Sequence, residues 1–223
     1  MKKKDIWLII LILLCNIGII RAQRVSEGGH LEPVRGIYDI YDYQFKYYSQ
    51  VRKILFNGLT EPQIRFLMMP SFYPENVLDI EFDGSKNKYY IIYHICEEII
   101  WYNRDNLENI KVIKFKSEID EESVKLIKSL FGIAIAQSKF PPTVEEGGPF
   151  TIGTDGTTYY FTINEYGYGI KSGQIWSPKD GTKMGKLVAI GEELIELATS
   201  KKEIVKIDEK LQQKIEKLID ELK

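Results

Sequence analysis

Cysteine and histidine are scarce in this chain of 223 residues: two of each, Cys15 and Cys96, His30 and His94. Cys15 lies in an apolar leader, so the chain that follows keeps Cys96 alone and no intramolecular disulfide can form. The core must supply the stability unaided. A Ser-His-Asp device has only His30 and His94 to draw on, and no G-x-S-x-G elbow occurs. Charge of one sign is also missing. The 30 Lys and Arg stand against 32 Asp and Glu, evenly mixed and without a basic stripe, so nucleic acid is not an expected partner. Phosphate-binding loops fail on spacing. Residues 181–187 (GTKMGKL) are one residue short between the glycines, and Leu187 stands where a hydroxyl is required. Gly167-Tyr168-Gly169 lacks the third glycine of a dinucleotide loop. No cofactor is expected.

One constellation has metal-ligand chemistry. His94, Cys96 and Glu98 alternate along an apparent strand and would share one face. Side chains at i and i+2 lie about 6–7 Å apart on a flat strand, which does not close a tetrahedron around zinc. The expectation is therefore no metal, with His94 buried and Cys96 acting as a buried small hydrophobe.

What is present begins with a leader. Lysines crowd Met1 to Asp5, Ile6 to Ile20 is almost wholly apolar, and Ala22 precedes a polar start. This is the pattern of a secretory signal peptide, with cleavage expected after Ala22 and export to the periplasm or medium. The apolar run is about fifteen residues against the roughly twenty that a span needs. An uncleaved leader holding the protein at the membrane is the alternative, and a lipid-modified Cys15 is disfavoured by Leu14 before it. No stable membrane span is expected after cleavage.

Residues 23–37 read as a loose arm, 38–199 as one α+β domain and 200–223 as a C-terminal amphipathic helix. Tyr38 to Phe56 carries apolar residues at helical spacing and ends at Asn57-Gly58. Strands are expected over Gln63–Met69, Val77–Phe82, Lys88–Trp101 and Ile110–Phe115. The third (KYYIIYHICEEIIW) is long and apolar enough for a central place. Glu97 and Glu98 fall on its two faces, which requires a bulge or a partner such as Arg65. Ser117 or Asp120 caps a helix running to about Gln137, and residues 144–150 form a linker or surface loop. Short connections favour a mainly antiparallel sheet of about five or six strands with helices packed on it. The last helix, with Ile204, Ile207, Leu211, Ile215, Leu218 and Leu222 in its stripe, is expected to pack back on the domain, self-association being the alternative.

The densest stretch runs from Thr151 to Leu197. Asp155-Gly156 signals a turn. Thr157 to Thr162 is β-branched and aromatic. Glycines 167 and 169 mark a loop, Gly173 to Trp176 returns, and Pro178 stops the strand. Asp180 or Thr182 caps the helix carrying Met184, Leu187, Val188, Gly191, Leu194, Ile195 and Ala198. The aromatics read first as core. A sharper reading makes Tyr160, Tyr166, Tyr168 and Trp176, with Asp155, a shallow binding surface. Trp176 is expected to fill the corner between sheet and helix, with Gly173 admitting another chain segment beside it.

Met69-Pro70-Ser71-Phe72-x-Pro74-Glu75, Ile100-Trp101, Asp155-Gly156-Thr157-Thr158-Tyr159-Tyr160-Phe161 and Gly173-x-x-Trp176-Ser177-Pro178 follow one another along the chain. This layout resembles a group of exported bacterial proteins with the same landmarks, over about Tyr38 to Ala198. The helix after Ser200 looks like an addition. The resemblance implies no activity and transfers no catalytic residue. Two functional classes follow: a non-enzymatic envelope protein that binds an unidentified protein or envelope ligand, and an envelope hydrolase using carboxylates such as Asp155 and Glu165 on glycan or peptide.

Overall fold

The structure is a computed structural model that describes residues 29–34, 42–140 and 155–223. The expected leader, the lipid-modification alternative and the loop at 144–150 lie outside the described residues. Residues 25–141 and 156–223 group as one compact unit, to which every element below belongs.

The order is β1 (Glu32–Pro33), α1 (Asp42–Leu55), β2 (Ile64–Pro70), β3 (Asn76–Asp83), β4 (Lys88–Cys96), a 3-10 turn (Leu107–Asn109), β5 (Val112–Ile119), α2 (Glu121–Ala136), β6 (Thr157–Glu165), β7 (Gly169–Trp176), α3 (Lys183–Thr199), β8 (Ile204–Val205) and α4 (Glu209–Leu222). The eight strands of the described residues join one sheet in the order β1-β7-β6-β2-β3-β4-β5-β8. Every pairing is antiparallel except β5 with β8. The α+β class and the mainly antiparallel sheet are as expected from the short connections. Six of the strands are long, and a two-residue strand lies at each edge, covering only part of its neighbour.

Alternation divides the strands between two cores. Ile64 and Phe66 of β2, Leu78 and Ile80 of β3, and Ile91 and Tyr93 of β4 face the layer made by α2, α3 and α4. Leu67, Met69, Val77 and Cys96 face the other way, toward Val51 and Leu55 of α1. Strands β3 and β4 are therefore both buried on their two faces and paired on both sides, as the apolar run of β4 led one to expect.

The caps obey local chemistry. Asp120 accepts from the Ser123 amide at 2.9 Å, Thr182 from Gly185 at 3.0 Å and Asp208 from Leu211 at 2.8 Å. Each satisfies an amide that the first helical turn leaves without a partner. Ser117 is not a cap. It belongs to β5, and its hydroxyl donates to the Lys202 carbonyl at 2.7 Å.

Three expectations need correction. Residues 23–37 are not all loose: Leu31 is fully buried, and Glu32 and Pro33 pair with Gln174 and Gly173. A Cβ on Gly173 would stand 2.8 Å from Leu31 Cδ1, so glycine there admits the arm, as Gly173 was expected to admit a neighbouring segment. The strand from Lys88 ends at Cys96 and not at Trp101. Glu97 and Glu98 are exposed, because leaving the sheet spares both carboxylates burial. Arg65 instead grips Asp79, with two bonds of 2.7 and 2.6 Å. Finally, the last helix starts at Glu209. Residues 204–205 are drawn into the sheet, where Ile204 is exposed, and Asp208 restarts the helix.

Helix α4 packs back on α2 and α3. Leu211, Ile215, Leu218, Ile219 and Leu222 are all buried, so the seam that could have served self-association is already covered within the chain. Lys186 and Glu221 join α3 to α4 at 2.6 Å. Among the described residues no helix is long and apolar enough to cross a membrane.

Gly191 sits where α3 presses closest to the sheet. A Cβ there would lie 2.5 Å from the Phe66 ring, which is itself held by Tyr159 and Phe161 at centroid distances of 6.0 and 5.0 Å. Gly to Ala normally favours a helix interior by about 1 kcal/mol. Here the expected outcome of Gly191→Ala is the reverse, a loss of about 1–3 kcal/mol from overpacking, read as a lower urea midpoint at unchanged slope.

Candidate functional site

The sequence landmarks, far apart along the chain, meet at one end of the sheet. Ser71, after β2, donates its amide to the Gly156 carbonyl at 2.8 Å and accepts from the Gly156 amide on its hydroxyl at 3.2 Å. Thr157 donates to the Ser177 hydroxyl at 2.9 Å, and Ser177 returns its amide to the Thr157 carbonyl at 2.9 Å. Gly156 is demanded by space. A Cβ on it would stand 2.4 Å from Ser177 Oγ and 2.7 Å from the Trp176 ring. The Pro-Ser-Phe, Asp-Gly-Thr and Trp-Ser-Pro landmarks are thus one interlocked corner.

Glu75 closes the same end. Its side chain is 0% exposed. It accepts from Tyr47 Oη at 2.6 Å, the Ile100 amide at 2.8 Å and the Trp101 amide at 3.4 Å. Its own carbonyl accepts from the Cys96 amide at 3.1 Å. One residue therefore ties the β2–β3 turn to α1 and to the turn that follows β4. Burial and the adjacent Glu75 push the Tyr47 hydroxyl pKa well up, so it stays a donor. Burial also raises the Cys96 thiol to about 12, with Glu75 adding to the effect.

Above this knot the surface is aromatic. The rings of Tyr43 and Tyr47 meet Trp101 edge-on at 6.3 and 5.1 Å, and the Arg104 guanidinium lies 5.1 Å from the Trp101 ring centre. Tyr43, Phe72, Tyr73 and Tyr102 are exposed, Tyr73 to 73%. Phe72 and Tyr73 project from the turn that Glu75 ends, and Tyr102 from the turn that it holds.

The binding residues expected from sequence do not form one surface. Tyr160 is half-buried, its ring edge-on to Tyr48 at 6.5 Å and its hydroxyl donating to Tyr48 Oη at 3.3 Å. Tyr166 and Tyr168 are exposed at the tip of the β6–β7 hairpin, roughly 20 Å along the strand from Tyr160. Trp176 is half-buried in the landmark corner. It alternates with Ile175, which enters the core under the helices, so the indole lies on the opposite face of the sheet and not in the expected sheet–helix corner. Asp155 is exposed before β6 and Glu165 ends it. Strand β6 separates them by roughly 25 Å, so this carboxylate pair flanks no shared cleft.

The surface aromatics Tyr43, Phe72, Tyr73 and Tyr102 were missed. One signal was available. Turns ordinarily carry small polar residues, Gly and Pro, and two adjacent large aromatics between Pro70 and Pro74 depart from that.

A concavity of about 510 Å³ lies beyond the C-terminal end of α1, lined by residues that include Glu81, Tyr90, His94, Lys114 and Lys116. Its polar groups are largely engaged. Glu81 accepts from the Thr60 amide at 2.6 Å, and Lys114 donates to the Asn57 carbonyl at 2.6 Å. His94 Nδ1 lies 2.8 Å from the Leu55 carbonyl. A carbonyl only accepts, so the neutral ring carries its proton on Nδ1, and burial lowers its pKa. His94, Cys96 and Glu98 do not converge, because the strand ends before Glu98. Among the described residues no cluster of three or more His, Cys, Asp or Glu could hold a metal.

Cys96 is 1% exposed and its thiol is raised. The expected outcome is negligible labelling of Cys96 by a thiol reagent in the folded protein at pH 8, and its full labelling after unfolding in guanidinium, read by peptide mapping. Rapid labelling of Cys96 in the folded protein would place the thiol at an accessible edge. Compared with known proteins, the chain matches no family model, no curated protein and no solved structure.

Proposed function

We propose that the protein is an exported, non-enzymatic binding module of the bacterial envelope, and that it engages its partner through the aromatic surface over Glu75. The observation that carries this reading is the pairing of a fully buried carboxyl with exposed rings. Burying an acidic side chain is costly unless it is fully hydrogen-bonded. Here the bonds fix the two turns that present Phe72, Tyr73 and Tyr102 to solvent. Rigid aromatic residues lose little conformational entropy on binding and combine an apolar body with a polar tip. Arg104 beside Trp101 adds a charge of the type enriched at interface hot spots. Export rests on the leader pattern at residues 1–22, and the landmark resemblance points the same way.

The test is binding of the purified protein to isolated bacterial envelopes, read by co-sedimentation. Tyr73→Ser with Tyr102→Ser is expected to keep the melting temperature within a few degrees and to weaken binding by about tenfold or more. Tyr166→Ser with Tyr168→Ser, at the far hairpin tip, is expected to bind like the parent. The opposite pattern would move the binding surface to the hairpin and overturn the reading.

A further inference from the structure

The sheet has an edge that its neighbours do not close. β5 pairs with β4 from Val112 to Ile119, yet β8 covers only Glu118 and Ile119 on its other side. Among the described residues, no strand pairs with 112–116 on that side. In an antiparallel pair successive residues point their peptide groups alternately toward the partner and away from it. The Glu118 amide donates outward, to the Glu203 carbonyl at 2.8 Å. By the same alternation Val112, Lys114 and Lys116 also turn their amides and carbonyls outward, with no strand to receive them among the described residues.

The side chains beside that edge are sorted by face. Lys114 and Lys116 lie on the α1 side with His94 and Tyr90, and both are exposed. Lys114 reaches the Asn57 carbonyl, and Lys116 sits 4.2 Å from the Tyr90 ring centre. Among the described residues neither lysine forms an ion pair with a carboxylate. Ile113 and Phe115 lie on the opposite face. Ile113 is 44% exposed, and Phe115 is half-buried beside Tyr93 at 6.1 Å.

We propose that the open edge of β5 is a docking site for an extended segment of another protein in which acidic and apolar residues alternate. Such a segment adds a strand to the sheet by main-chain hydrogen bonds, the recognition mode known as β-augmentation. Its carboxylates stand opposite Lys114 and Lys116, and its apolar residues cover Ile113 and Phe115. Cross-strand pairs of opposite charge stabilise, and like charges directly opposite destabilise. The second rule disfavours a second copy of this chain as the natural occupant. Antiparallel pairing of two β5 edges centred on Lys114, Phe115 or Lys116 sets lysine against lysine, the device by which edge strands discourage self-pairing. The site is separate from the aromatic surface, so each stands or fails without the other.

The probe is a capped peptide of about seven residues alternating glutamate and valine, titrated into the full chain and followed by amide hydrogen exchange and fluorescence anisotropy. Saturating peptide is expected to slow exchange at the amides of Val112, Lys114 and Lys116, while the amides of Gly169 to Ser172 on β7 keep their rates. Lys114→Glu with Lys116→Glu is expected to weaken binding by about tenfold at low salt. A peptide alternating lysine and valine should then bind that double variant and not the parent. Because both lysines are exposed, the variant's unchanged melting curve confirms that it folds. Three results would overturn the proposal: no slowing at the three amides, binding indifferent to the charge reversal, or the same slowing from raised protein concentration without peptide.

Discussion

The Glu75 carboxyl group is the contact on which the α1 side of the molecule depends. Three donors from two separate parts of the chain converge on it: a tyrosine hydroxyl of α1 and two successive amides of the turn after β4. A fully buried acceptor that loses its donors costs about 1–3 kcal/mol, and more if charged. That penalty makes the three segments interdependent. The turn after β4 can leave the sheet, taking Glu97 and Glu98 into water, because Glu75 receives its amides. Ile100 can be buried with Val51, Leu55 and Cys96 because the turn is held there. The aromatic surface around Trp101 follows from the same anchoring.

The two faces of the sheet are built on different principles. The α2–α3–α4 face is closed by apolar packing, with Phe66, Phe131 and Phe161 at centroid distances of 5.0 Å along the row. Gly191 lets a helix backbone approach that row. The α1 face is polar in its middle. Asp79 is fully buried there, paired to Arg65, whose guanidinium also covers the Phe56 ring at 4.0 Å. Burial raises the Asp79 carboxyl to about 6 against the lowering pull of the guanidinium. Only part of this face is covered. The uncovered parts are the aromatic end and the β5 edge with its adjoining concavity, which is why both surfaces proposed for recognition lie there or at its border.

Much of the fold could be read from local chemistry. Asp120 and Thr182 as caps, Gly58 in a left-handed conformation with φ of 87° ending α1, and the β6–β7 hairpin are all decided by a few adjacent residues. The end of β4 was only half readable: Glu97 and Glu98 signal a conflict within the apolar run to Trp101, but the acceptor that receives the departing turn is Glu75, more than twenty residues earlier. Leu31 was unreadable for a similar reason: its partner is Gly173, across most of the chain. Ile204 and Ile207 share the helical period of α4, but the parallel contact with β5 draws Ile204 into an extended strand. The candidate site suffered most. The hairpin tyrosines form an obvious cluster in sequence, but a strand points residues along it to opposite faces and carries its two ends far apart. The landmark residues lie far apart in the sequence, and their meeting is a property of the sheet order alone.

Amide hydrogen exchange in Glu75→Gln tests the central claim most directly. The substitution keeps the size of the side chain but turns one acceptor oxygen into a donor, which cannot receive both the Tyr47 hydroxyl and the turn amides. The amides of Ile100 and Trp101 are predicted to exchange at least about tenfold faster, together with those of the first turns of α1, while Ile80 and Ile91 in the central strands keep their protection. Unchanged protection at Ile100 and Trp101 would show that the turn holds itself, and that the buried carboxyl does not organise this side of the molecule.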